Sequence, residues 1–254
     1  MISKLTIQFN VNDKIKYSYN LGSIFQSIMM ENISYEYADK LHISEVHPYS
    51  QHTEYGENGI KWVISVLNAQ AKEQILPVFL SDSLDKIYIK DKDITLNVSS
   101  KNLFSFSYDE LFNKHYMTEN TYRYIELEFI TPVSFKCDGR YVIFPLSHML
   151  IKNLIRKYDT SSGSTEIYDD ALAEHIEKNT DIVEYSLHTV KYLISGIKIP
   201  AAIGRITLKI NGAPEFIRLM NMLLEYGEYS GTGIKSSMGM GAYRIIERRG
   251  KING

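Results

Sequence analysis

Hydrophobic and polar residues alternate from the first strand-length segment of the chain. Leu5, Ile7, Phe9 and Val11 fall on one side and Thr6, Gln8 and Asn10 on the other, which predicts a half-buried strand. The period then lengthens. Leu21, Ile24, Phe25, Ile28 and Met29 recur at helical spacing and predict a helix over Leu21 to Ile33. Tyr37, Ala38 and Leu41 predict a second, short helix. Lys61 to Leu67 reads as a strand, Ala71 to Leu80 as a helix, and Lys86 to Val98 as strand broken at Lys90 to Asp93.

A similar pattern restarts further on. Ile125, Leu127 and Phe129 share one face of a strand over Tyr124 to Ile130. Tyr141 to Phe144 is a short strand stopped by Pro145. Ser147 is a candidate cap for a helix over His148 to Lys157, and Thr160 to Thr165 reads as a Ser/Gly loop. Asp181 to Leu193 and Ala201 to Ile210 read as strands. Pro214 stands at a favoured first helical position and Gly227 is the predicted stop, with a last strand over Tyr243 to Ile246. The mixture has no regular parallel alternation. It predicts an α+β chain of two halves, 1–120 and 121–254, with a candidate linker at Met117 to Thr121.

Composition narrows the class without naming it. With 44% hydrophobic and 23% charged residues, the chain is ordinary for a folded protein, so disorder is not expected. No apolar run approaches a membrane span, and MISKLTIQFN lacks the apolar stretch of a signal peptide, so a cytoplasmic location is expected. The single Cys137 excludes an internal disulfide and a four-cysteine zinc site. Net charge is -2, but it is uneven: from Ser186 to Gly254 ten Lys and Arg face four acids. A basic end on an acidic body suits a local anionic ligand, and it also suits a solvated surface.

Two segments carry candidate chemistry. Gly231-Thr-Gly-Ile-Lys-Ser-Ser-Met-Gly-Met-Gly241 places two G-x-G pairs around five residues. Glycines let backbone N–H groups approach a ligand, and Lys235, Ser236 and Ser237 can donate to phosphate oxygens. The segment is thus either an anion cradle or a tight loop without a ligand. It is not a dinucleotide fingerprint, because a helix precedes it and a strand follows. It is not a P-loop either, because no Gly-Lys-Ser/Thr follows the glycines. The second segment holds His42, His47 and His52, three of the seven histidines. Their spacings of five, with Pro48 between the last two, do not suit a metal site on one helix. No cofactor motif occurs. The acidic pairs Asp91/Asp93 and Asp169/Asp170 read as solvated loops, and Glu225/Glu228 as a helix-end surface.

The run Tyr229-Ser-Gly-Thr-Gly-Ile-Lys-Ser-Ser-Met-Gly-Met-Gly-Ala resembles the C-terminal signature of the CRISPR-associated endoribonucleases that process repeat RNA, the Cas-six family. Ile130-Thr-Pro-Val-Ser-Phe-Lys with Gly139-Arg-Tyr-Val-Ile-Phe-Pro145, the strand at Ala201 to Ile210 leading into the Pro214 helix, and Leu41-His42 are similar to that family too. The resemblance covers most of the chain. It implies tandem ferredoxin-like (RRM-like) domains with antiparallel sheets. It also implies a metal-independent cut in CRISPR repeat RNA by 2′-hydroxyl attack, leaving 2′,3′-cyclic phosphate and 5′-hydroxyl ends, with no cofactor.

On that match His42 takes the place of the family's catalytic histidine, as general base or acid. His47 falls where some relatives carry a lysine and, as an imidazolium, would stabilise the phosphorane or act as second acid. Met30 falls where some relatives carry a tyrosine, and it cannot do proton chemistry. RNA would be held by Gly231, Gly233, Lys235, Ser236, Ser237, Gly239 and Gly241, by stacking on Tyr229, and by Lys152 and Arg156, which with Lys157 partly share a helix face. CRISPR effector-complex subunits and a second copy of the chain are further candidate partners. A non-catalytic RNA-binding subunit of an effector complex is the alternative function, and a small-molecule enzyme of ferredoxin-like fold is a third.

Overall fold

Alternation at the N-terminus builds β1 (Ile2–Asn10), whose Leu5, Ile7 and Phe9 are fully buried. A computed structural model of the chain describes residues 1–10, 18–56, 59–90, 93–117, 121–164 and 166–252. Val11, Asp91, Thr165 and the middle of the candidate linker at 118–120 lie outside the described residues. After β1 come α1 (Leu21–Asn32), α2 (Tyr35–Ile43), β2 (Tyr49–Gly56), β3 (Gly59–Val66), α3 (Ala69–Leu80), β4 (Lys86–Ile89), β5 (Ile94–Phe106) and α4 (Tyr108–Tyr116). The sheet order is β2-β3-β1-β5-β4, antiparallel throughout.

The same arrangement recurs. β6 (Tyr122–Val133) leads through the hairpin β7 (Phe135–Cys137) and β8 (Arg140–Val142) to α5 (Ser147–Ser162) and α6 (Asp170–Asn179). Then follow β9 (Thr180–Ile194), β10 (Ile197–Ile210), α7 (Pro214–Ser230), a 3-10 turn at Ser236–Met238 and β11 (Tyr243–Lys251). This sheet has the order β11-β6-β10-β9. In both sheets the first strand of its set lies between the third and the last, which is the ferredoxin-like order, and the α+β tandem expectation holds. Among the described residues no helix is long and apolar enough to cross a membrane.

The cores are not confined to their own sheets. Ile2, Leu67 and Leu111 are buried with β6, α5 and α7 side chains in the second core. α4 carries Leu111 there, and its Ser107–Glu110 capping box fixes its start.

Several local expectations are corrected. Ser147 is the first residue of α5 rather than its cap, and its hydroxyl donates to the Thr180 carbonyl instead. α5 runs on to Ser162 and is stopped by Gly163 in the left-handed region, so the Ser/Gly loop begins later than predicted. Gly227 does not end α7. It lies inside the helix because the Tyr243 ring occupies the space a side chain would need. Asp169 is the N-cap of α6, accepting from Leu172 N, rather than a loop acid. Glu225 is no surface residue either. It is buried against Lys114, His115 and Arg248.

Candidate active site

The glycine segment and the histidine segment meet. A cleft of about 500 Å³ is lined by His42, Glu45 and His47 from the first half and by Arg156, Lys157 and Lys235 to Met238 from the second. The close approach has a backbone cause. Gly239 has φ +97°, and a Cβ on it would lie 2.8 Å from the Gly22 Cα at the start of α1. A Cβ on Gly22 would lie 2.9 Å from the Gly239 Cα. Two glycines facing each other let the loop seat directly on the helix.

A buried amide ties the same junction. Gln51 Nε2 donates to the Gly22 carbonyl at 2.7 Å and to the Ser237 carbonyl at 3.1 Å, while its Oε1 accepts from Trp62 Nε1 at 2.9 Å. Every polar atom of that side chain is therefore engaged, and a buried amide so satisfied specifies one arrangement. Tyr192 adds a bond of 2.6 Å to the Met238 carbonyl.

His47 sits in the connection between α2 and β2, two residues before the strand. Its Nε2 is 2.9 Å from the Leu41 carbonyl, which can only accept, so the proton belongs on Nε2. Nδ1 then carries the lone pair and accepts from Ser237 Oγ at 3.2 Å. Burial lowers the His47 pKa. The Leu41 bond opposes this, while Lys235, His42 and Lys157 lower it further. Burial and the neighbouring cations thus favour the neutral ring over the expected imidazolium, with the Leu41 carbonyl selecting the Nε2–H tautomer. His42 lies in the last turn of α2, is exposed, and lines the same cleft. His52 lies elsewhere, buried on β2 and bonded to Glu54 at 3.0 Å.

Several amides of the glycine loop are occupied within the fold. The Gly231 amide bonds Gly227 O, Thr232 bonds Gly241 O, Gly233 bonds Asn153 Oδ1, Ile234 bonds Ser134 O and Gly241 bonds Pro132 O. The Gly233, Ile234 and Gly241 amides hold the loop against α5 and the end of β6. The loop offers the cleft the side chains of Lys235, Ser236 and Ser237. Lys235 is exposed there, and among the described residues no acid pairs with it.

The other predicted contacts divide. Arg156 is exposed at the cleft but paired with Glu45, an ion pair joining the two halves. Lys152 is half-buried on α5 and is not among the residues lining the cleft. Tyr229 packs its ring on Phe106 at 4.9 Å with Lys4 over it at 5.7 Å, away from the cleft. Tyr243 is fully buried, bonding Leu224 O at 2.7 Å. Four of the ten Lys and Arg in the basic C-terminal run are paired with acids: Arg205 and Arg244 with Glu128, Arg248 with Glu225, Arg249 with Glu184 and Glu247.

Lys157 is the residue that sequence spacing misplaces most. It is buried, and its Nζ donates to Ser230 O, Gly231 O and Ser236 Oγ at 2.9, 2.9 and 2.8 Å. An ammonium at the C-terminus of α7 meets carbonyls that the helix leaves unpaired. Burial pulls its pKa down to about 7, while three acceptors aimed at its protons favour the charged form.

Known proteins bear on this arrangement. A family model described as CRISPR-associated endoribonuclease Cas6 matches residues 127–243. A Cas6 endoribonuclease of Streptococcus thermophilus is 30% identical over 237 residues, covering 91% of this chain and 93% of the relative. One of Mycobacterium tuberculosis (strain CDC 1551 / Oshkosh) is 28% identical over 247 residues, 96% of this chain and 78% of the relative. A solved Cas6 product complex is similar in fold, with a TM-score of 0.79 at 16% identity, covering 97% of this chain and 99% of that one.

Proposed function

Since the chain belongs to the Cas6 family of CRISPR-associated endoribonucleases, we propose that its cleft cuts CRISPR repeat RNA without a metal ion, by attack of a 2′-hydroxyl on the adjacent phosphate. The products are a 2′,3′-cyclic phosphate and a 5′-hydroxyl. The observation that carries this reading is the meeting of two imidazoles with Lys235, Arg156, Ser236 and Ser237 in one cleft. The division of the chain near residue 120 belongs to the same proposal, each half supplying one wall.

The chemistry needs three things: removal of the 2′-hydroxyl proton, protonation of the leaving 5′-oxygen, and stabilisation of charge on the phosphorane. A neutral His47 whose Nε2–H is anchored on Leu41 suits the first. Its Nδ1 takes the proton once Ser237 turns its hydroxyl from the ring to the phosphate. His42, exposed on the rim of the same cleft, is placed to serve the second as a general acid. Lys235 and Arg156 supply positive charge for the third. Gly231, Gly233, Gly239 and Gly241 take part by shaping the loop that presents these side chains.

The test is cleavage of the repeat RNA in EDTA. The expected result is cutting in chelator, a cyclic phosphate on the upstream product, and no cutting when the nucleotide at the cut site is 2′-deoxy. Loss of activity in EDTA that returns with a divalent ion would refute the metal-independent reading.

A further inference from the structure

The Lys157 ammonium is surrounded by acceptors. Ser230 O, Gly231 O and Ser236 Oγ take its three protons at 2.8 to 2.9 Å. With all three engaged it has no proton left for a ligand. Its effect on Ser236 is directional. An ammonium has no lone pair, so Ser236 Oγ must accept from it, and the hydroxyl proton must point elsewhere. Among the described residues no acceptor takes that proton, although Ser236 is buried and lines the cleft. Its neighbour differs, because the Ser237 proton is directed to His47 Nδ1.

We propose that Lys157 is a positioning residue for RNA cleavage, holding Ser236 Oγ as an acceptor so that its hydroxyl proton is presented to a non-bridging oxygen of the scissile phosphate. This rests on the cleavage reading above. Ser236 is then a donor aimed at developing charge, and Lys157 acts only through it. Without the ammonium the Ser236 hydroxyl is released to turn its proton onto a neighbouring carbonyl, Ser230 or Gly231, which Lys157 otherwise occupies. The donor would be lost while the loop kept its path, because Asn153, Gln51 and Tyr192 hold that path independently.

The test compares Ser236→Ala, Ser236→Thr, Lys157→Met and the Lys157→Met/Ser236→Ala pair. The readouts are single-turnover cleavage at saturating protein and affinity for an uncleavable 2′-deoxy repeat. Removing one positioned donor to a developing oxyanion costs about 100-fold in rate or more, so Ser236→Ala is expected to slow the cut by about that factor with affinity nearly kept. Ser236→Thr, which keeps the hydroxyl, is expected to retain activity. Lys157→Met should match Ser236→Ala, and the pair should be no slower than Lys157→Met alone. Multiplying effects in the pair, or Ser236→Ala cutting at the wild-type rate, would overturn the inference while leaving the cleavage reading intact. If Lys157→Met does not fold, Lys157→Gln replaces it, and the two Ser236 variants still decide. Wild-type protein that binds the repeat and leaves it whole overturns the cleavage reading and this inference together.

Discussion

Ser237 Oγ lies 3.2 Å from Nδ1 of His47, so two residues 190 apart in sequence share one hydrogen bond at the floor of the cleft. The bond assigns a direction to each group. In the neutral ring the proton sits on Nε2 against the Leu41 carbonyl, so Nδ1 accepts and the serine donates. The cleft thus holds an imidazole whose Nε2 is held by the Leu41 carbonyl and whose Nδ1 meets Ser237 from the other half of the chain.

Removing either imidazole should separate cutting from binding. Histidine acid or base catalysis contributes about 10²–10⁴-fold. His47→Ala and His42→Ala are each expected to slow single-turnover cleavage by that order while affinity for an uncleavable repeat stays near wild type. Cleavage at the wild-type rate by either variant removes that histidine from the chemistry.

The pH dependence has a definite sign. His47 is held below its ordinary value of 6.5 by burial first and by Lys235, His42 and Lys157 next. A group with a lowered pKa gives up its proton earlier on the way to neutral pH. The rate at saturating RNA should therefore rise with pH along a limb centred below 6.5. A rate profile recorded across the acid range checks this, and a limb centred above 6.5 contradicts a base role for His47.

Glu45 competes with RNA for Arg156. The pair is exposed on both sides, so its intrinsic worth is small, about 0.2–1 kcal/mol. Glu45→Gln frees the guanidinium for phosphate and should tighten repeat binding about two- to fivefold. The gain should shrink as salt rises. Filter-binding or anisotropy titrations at several salt concentrations measure both, and unchanged affinity at low salt would mean Arg156 does not meet RNA.

Glu225 makes the fold sensitive to acid. Burial raises its pKa, but the bonds from His115 and Lys114 and their charges outweigh that and hold it down to about 2 from an ordinary 4.5. With the folded value lower, its stabilisation is complete above 4.5 and is lost as pH falls toward 2. Glu225→Gln leaves buried His115 without its carboxylate and should cost about 2 kcal/mol near neutral pH. Urea melts of both proteins across the acid range should converge as pH falls through that window.

Much of the fold is legible in hydrophobic periodicity. β1 and β6 bury one face of an alternating strand, and α1 buries Leu21, Phe25 and Met29 at helical spacing. β2 escaped that reading because its residues Tyr49-Ser-Gln-His-Thr are all buried, yet four of the five are polar. Ser50 and Gln51 are satisfied by the Tyr229 and Ser237 carbonyls, partners that no local pattern reveals. α4 had a readable signal, the Ser107–Glu110 capping box.

The candidate site divides in the same way. The sequence by itself determined that an imidazole-rich segment follows the first helices and that a glycine-bounded Lys-Ser-Ser run precedes the last strand. Both are local features, carried by residue type and spacing. Only the tertiary structure decided that Lys157 faces inward, that Tyr229 packs edge-on against Phe106, that the Gly233 and Gly241 amides bond α5 and β6, and that burial lowers the His47 pKa. Each of these depends on which distant groups arrive beside the residue. A buried polar atom takes its role from the partner that satisfies it, and here those partners lie on other elements of the fold.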